Sequence, residues 1–364
     1  MMEVIKSNQS AVTAGAAPPT ARQRIQAAAH HLLRARESGV LTALLVLCLI
    51  GVVIAPGFVS PQNLLNVGQQ VSQVGIIAVG MTFVIITAEI DLSVGSIYAL
   101  GAAITGMLLA QGHSILVACV AGLAAGLGAG LINGLATVYL RLPSFIVTLG
   151  TLSAFRGLTL LLTNGAPISL DSSNPTIQTF SLLGQGLLFG LVPMELVFML
   201  IIFLIGIVLL TWTRFGFNVY AVGGSAEAAR LCGINVARVR VTGFAIVGVL
   251  SAFAGILGLS FLNYVQGVTG SGLELVVISA VIIGGAALFG GSGTLWGTLI
   301  GVILIGVLQN ILVLSGFSSF WQTLMVGVVI VLAVALDTGL RHRRATARLA
   351  TTAERAAVET EADS

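Results

Sequence analysis

The chain has 364 residues, 57% of them hydrophobic and only 8% charged, with a net charge of +3 and a mean hydropathy of +1.06. A soluble domain carries about 25% charged residues, so this composition excludes an ordinary water-soluble fold and points to a chain that buries its apolar surface in lipid. The apolar runs are long and unalternating, which excludes the short alternating strands of an outer-membrane barrel; 45 glycines suit closely packed membrane helices instead.

Residues 1–39 are polar and basic, with Lys6, Arg22, Arg24, Arg34 and Arg36, and read as a cytoplasmic tail holding an interfacial helix from about Thr20 to Glu37. The run Val40–Ala55 has too long a charged lead for a cleaved signal peptide and no A-x-A site after it, so it reads as an uncleaved first span. The apolar runs predict an all-α polytopic membrane protein of ten transmembrane helices, at 40–55, 64–86, 93–110, 114–138, 144–162, 192–212, 241–262, 273–289, 294–314 and 320–337. Turn residues separate them: Pro56-Gly57, Gly112, Pro143, the glycines of 290–293, and Gly316. The longest connector, 163–191, is expected to carry a short surface helix, and a second cytoplasmic tail follows the membrane domain (40–338) at 339–364. With the N-terminus inside, fifteen of the sixteen Lys and Arg residues fall on the cytoplasmic side and none in the external connectors; the sixteenth, Arg156, lies within span 5. That split obeys the positive-inside rule and predicts both termini in the cytoplasm.

Polar residues in the spans are few. Asn66, Gln70 and Gln73 are spaced i, i+4, i+7 and share one face of span 2, either lining a passage for a hydroxylated solute or hydrogen-bonding to neighbouring helices. Arg156 lies roughly 20 Å along the helix that follows Pro143, where it would snorkel or find a partner. Glu89 and Asp91 sit in the turn after span 2, Asp91 competing with Ser93 to cap span 3, while Glu195 and Glu274 open spans 6 and 8. Asn133 in GAGLINGLATV and Asn310 in GVILIGVLQNILVL occupy similar places in spans 4 and 9, which suggests an inverted repeat of five plus five helices.

The longest charged interruption is 213–240, with Arg214, Glu227, Arg230, Arg238 and Arg240. Ser225 is an N-cap residue, Glu227 falls in the first turn, where the dipole favours an anion, and Gly233 is placed for the stop. Between them Ala226, Glu227, Ala228, Ala229, Arg230, Leu231 and Cys232 make about two turns, too few to be stable alone. The segment is either a simple connector or a surface on which something docks.

Lys6 is the one lysine, so the chain has no phosphate-binding G-x-x-x-x-G-K-[ST] loop. His30, His31, His113 and His342 are not spaced as metal ligands, and Cys48, Cys119 and Cys232 give no disulfide framework. No metal, cofactor or catalytic set is expected, and the basic tails suit the lipid surface rather than nucleic acid.

Four stretches, TAEIDLSVGSIYAL (87–100), RLPSFIVTLGTLSAFRGLTLLLTNG (141–165), GGSAEAARLCGINVARVRVTGF (223–244) and ALFGGSGTLWGTLIG (287–301), resemble in this order the permease subunits of ribose-type sugar ATP-binding-cassette (ABC) importers. The resemblance covers about residues 40–340. It implies a permease in the bacterial inner membrane, as a homodimer or paired permeases, with cytoplasmic ABC ATPases and a periplasmic solute-binding protein as partners. It also implies that Ser225, Glu227, Ala228, Ala229, Arg230 and Gly233 belong to the coupling helix that engages the ATPase; Glu227-Ala228-Ala229 and Gly233 match the start of the importers' EAA-x-x-x-G loop, whose later Leu-Pro pair is missing here. The family often has Gly where this chain has Glu89, so no role for Glu89 follows from it. On this reading Asn66, Gln70, Gln73, Asn133, Arg156 and Asn310 line the translocation path. Branched-chain amino-acid and nucleoside permeases are the nearest alternative, and an ion-coupled secondary transporter, which needs a carboxylate deep in the membrane, is the alternative from another class.

Overall fold

Almost every apolar run becomes a helix. The computed structural model describes residues 38–318, 320–325, 327, 328 and 331. In chain order the helices are α1 (Ser38–Ile54), α2 (Pro61–Ile86), α3 (Val94–Ala110), α4 (Ile115–Tyr139), α5 (Ser144–Leu162), α6 (Pro175–Gln185), α7 (Met194–Trp212), α8 (Arg214–Gly224), α9 (Ala226–Leu231), α10 (Val236–Leu262), α11 (Leu273–Ile283) and α12 (Leu295–Leu314). Two-residue strands clip loops together: β1 (Ile168–Ser169) pairs antiparallel with β4 (Tyr264–Val265), and β2 (Leu187–Leu188) with β3 (Val192–Pro193).

Among the described residues six helices, α2, α4, α5, α7, α10 and α12, are long and apolar enough to cross a membrane, and α1, α3 and α11 are shorter apolar helices. The all-α polytopic class is therefore as expected. Half of the tenth expected span falls outside the described residues, as do the expected tail helix and the C-terminal tail. The expected surface helix in 163–191 is α6, capped by Asn174, whose side chain accepts from the Thr176 amide.

Two boundaries differ from expectation. The seventh span starts at Val236, because Asn235 Oδ1 accepts from the Arg238 amide at 2.9 Å and caps α10 early. Arg238 and Arg240 thus ride on a helix, not on a loop. The eighth span stops at Ile283, since Gly284 is pressed against Gly297 of α12 and Gly285 takes a left-handed φ of 94°. The resulting α11 has 11 residues, about 16 Å, or half of a hydrocarbon core of about 30 Å.

Two helices form the axis of the body. The second half of α2, from Gly75 to Ile86, is buried along its whole run bar none of its faces, and α10 packs against α2, α3 and α4. Gly126, Gly130 and Gly134, one turn apart, let the α4 backbone meet α10, and Gly122 lets it meet α3: a Cβ on Gly126 would stand 2.5 Å from Gly248 O. Close approach of this kind replaces the hydrophobic driving force that lipid removes. The outward faces of α1, α4, α5 and α7 expose Val53, Leu116, Leu161 and Leu204, an apolar surface suited to lipid.

Candidate functional site

The charged segment 213–240 is two helices and a helix start. Thr213 caps α8, its Oγ1 accepting from the Gly216 amide at 3.2 Å. Ser225 then ends α8 and caps α9, its Oγ accepting from the Ala228 amide at 3.2 Å. The six residues of α9 end as expected: Gly233 has φ 81°, its amide bonds Arg230 O, and the Ile234 amide bonds Ala229 O, both at 3.0 Å. This double bond pattern satisfies the last carbonyls with a left-handed glycine. Glu227 sits in the first turn and Arg230 in the last, each at the dipole end that favours its charge. Ala229 is buried and faces the body, while Leu231 is 86% exposed, with nothing among the described residues to cover it.

The connections from α9 into the membrane body are short and stiff. On the N-terminal side Gly223 of α8 lies against Ile86 O at the end of α2 and against the Gly291 amide, which itself donates to Ile86 O at 2.9 Å. Tyr220 Oη donates to Gly293 O at 2.7 Å. On the C-terminal side Asn235 passes directly into α10. One turn later Arg240 Nε stands 2.9 Å from Glu89 Oε1, an ion pair whose angle is not that of a directed hydrogen bond. A groove of about 930 Å³ runs beside it, lined among others by Glu89, Arg141, Arg230, Asn235 and Arg240. Sequence reasoning noted Glu89 and Arg240 separately; 150 intervening residues hid their pairing.

The α2–α3 turn beyond Glu89 holds a buried carboxylate. Asp91 accepts from the Ser93 amide at 2.8 Å, from Ser93 Oγ at 2.7 Å and from Asn133 Nδ2 at 3.2 Å. Asp91, Ser93 and Asn133 are all fully buried, so Asn133 packs α4 onto this turn. Of the two rival caps for α3 it is Asp91 that supplies the side-chain acceptor; Ser93 makes no side-chain cap bond.

The other path candidates divide. Asn310 is not free-standing: it exchanges two hydrogen bonds of 2.9 Å with Asn63, joining α12 to α2. Gln73 accepts from Tyr98 Oη at 2.8 Å and donates to Glu195 Oε1 at 3.1 Å, and Glu195 is 1% exposed, deeper than its place at a helix start suggests. Asn66 and Gln70 remain exposed, Asn66 accepting from Gln62 at 3.3 Å and Gln70 donating to Gln309 of α12 at 3.4 Å. The stripe is thus half interhelical contact and half open amide surface. Gln309 joins that surface and was missed, although it adjoins Asn310 in the sequence. Arg156 finds a partner instead of snorkelling: its Nη1 donates to Gly267 O and Thr269 O, both at 2.7 Å.

Residues 63–334 match the family model described as branched-chain amino acid transport system / permease component. The chain is 43% identical over 302 residues to the ribose import permease protein of Bacillus subtilis (83% of this chain, 92% of the relative). It is 40% identical over 301 residues to that of Escherichia coli K12 (83% and 93%). To the L-arabinose ABC transporter permease protein of Azospirillum brasilense it is 35% identical over 308 residues (85% and 89%). No solved structure gives a significant match.

Proposed function

The chain belongs to the branched-chain amino acid transport system / permease component family, and we propose from that premise that it carries a monosaccharide-like solute across the inner membrane as the permease of an ABC importer. It is a transport subunit and not an enzyme. One observation carries the reading: α9, capped at both ends and largely exposed, hangs between membrane helices in a chain that has no phosphate-binding loop of its own. Energy then enters through a partner ATPase that grips α9, and a periplasmic binding protein delivers the solute. Relatives named for ribose and L-arabinose support a sugar over a branched-chain amino acid.

The fifteen-to-none split of basic residues supports ten spans with both ends in the cytoplasm and α9 on the inner side, and the similar places of Asn133 and Asn310 in the sequence support two inverted halves. Closure of the ATPases moves α9, and the motion passes through Gly223 to α2 and the α11–α12 loop, and through Asn235 to α10. The exposed amides of Gln62, Asn66 and Gln70, with the half-buried amide of Gln309, cannot face lipid cheaply. They therefore face a passage shared with a second copy of the permease, where amides can exchange hydrogen bonds with sugar hydroxyls.

The coupling reading is tested on the assembled complex, purified with its ATPase and binding protein. Arg230→Ala should leave the permease abundant in the membrane but weaken ATPase association by about 30-fold, the effect of losing an interface arginine worth about 2 kcal/mol. Gly233→Val forces a β-branched residue to φ 81° and distorts the end of α9 at a local cost of about 1–2 kcal/mol. Stimulated ATP hydrolysis at the wild-type level in both variants, with assembly unchanged, would remove α9 from the coupling path.

A further inference from the structure

We propose that Arg156 is a positioning residue of the transport path: it holds the turn between Gln266 and Gly272 as one wall of the solute passage without itself touching solute. The inference rests on the passage described above and adds a wall to it. The turn is irregular backbone at depth. Gly270 packs against Gly95 and Tyr98 of α3, and Gly95 is the second residue of that helix, about 22 Å from its far end. Backbone without helical hydrogen bonds survives at such depth only where protein buries it or water reaches it.

The turn does both. Val265 and Gly267 face inward and are buried, while Gln266, Val268 and Ser271 are exposed. Its inner side is pinned at three places. Arg156 on α5 spends its guanidinium on the carbonyls of Gly267 and Thr269. Glu274 Oε1 accepts from the Gly272 amide at 3.1 Å and acts electrostatically on Arg156. Gly95 leaves no Cβ to push Gly270 away. A cation inside a membrane helix is costly, and here its hydrogen bonds all go to one turn of backbone. The exposed side is left with a side-chain amide at Gln266 and a hydroxyl at Ser271, groups that suit a polyhydroxylated solute.

The test is thiol labelling of intact cells with a membrane-impermeant, charged thiosulfonate, in a background where Cys48, Cys119 and Cys232 are replaced by Ser. Ser271→Cys and Gln70→Cys should label, and Leu204→Cys, on the lipid face, should not. In the Arg156→Gln background the Ser271→Cys labelling rate should change by about tenfold and D-ribose uptake fall by about as much, the cost of losing charged hydrogen bonds. Arg156→Lys, which keeps the charge but not the fork, should restore part of both. Labelling of Gln70→Cys without Ser271→Cys would sink the wall and leave the passage standing. No labelling at either position would sink both. An unchanged Ser271→Cys rate in properly inserted Arg156→Gln protein would overturn the positioning role.

Discussion

Asp91→Ala should remove most of the folded chain from the membrane, and Asp91→Asn should remove markedly less. The carboxylate is completely buried and accepts three hydrogen bonds, two of them from Ser93 at the start of α3 and one from Asn133 on α4. Truncation leaves a backbone amide and a hydroxyl without acceptors in a dry interior, while the Asn133 amide keeps its 2.8 Å bond to Ser93 Oγ. Each of the two orphans costs about 1–3 kcal/mol, so the total is on the order of 2–5 kcal/mol even after some relaxation. Asparagine keeps the oxygen that faces Ser93 and sets an amide against the amide of Asn133, losing one bond instead of three. Membrane abundance of full-length protein, followed by the thermal unfolding midpoint in detergent, separates the two variants. Equal abundance of both, at the wild-type level, would mean that the α2–α3 turn does not depend on this carboxylate.

Gly223→Ala is expected to break the link between α9 and the membrane body. A Cβ there would collide with the carbonyl of Ile86 and stand 2.6 Å from the Gly291 amide, and both obstacles are backbone that cannot rotate aside. Overpacking against flexible side chains costs about 1–3 kcal/mol, and rigid backbone sets the cost at the upper end or beyond. The Gly291 amide would also lose its bond to Ile86 O. Coupled hydrolysis and uptake should fall together, whereas Gly224→Ala, one residue on, meets nothing within 4 Å and serves as the control. Loss of function in Gly224→Ala equal to that in Gly223→Ala would point to general damage in α8 and away from the junction.

The sequence made some of this architecture plain and hid the rest for physical reasons. Ser225 and Gly233 were readable because caps act over three or four residues, so the chemistry and its signature sit side by side. The apolar helices were readable as helices because apolar length is a local property. The end of α11 was misplaced because 284–289 is as apolar as a helix; what stops it is Gly297, thirteen residues on, arriving against Gly284. Pairings across the fold, such as Glu89 with Arg240, Asn63 with Asn310 and Arg156 with the 267–269 carbonyls, leave no mark in local spacing. The Asn66–Gln70–Gln73 face was visible as a face, yet whether each amide meets a helix or open space depends on α7 and α12, which a helical wheel does not contain.

The closure of α9 at both ends has a consequence for partner choice. Ser225 begins the helix and Gly233 with Ile234 finishes it, so its two ends are specified locally, while buried Ala229 holds it against the body. Residues such as Glu227, Arg230 and Leu231 can then vary without disturbing the spans, and the spans can diverge without disturbing them. An address label of this kind is exchangeable: grafting 225–234 from a related permease should redirect the recipient to the donor's ATPase while its solute stays the same.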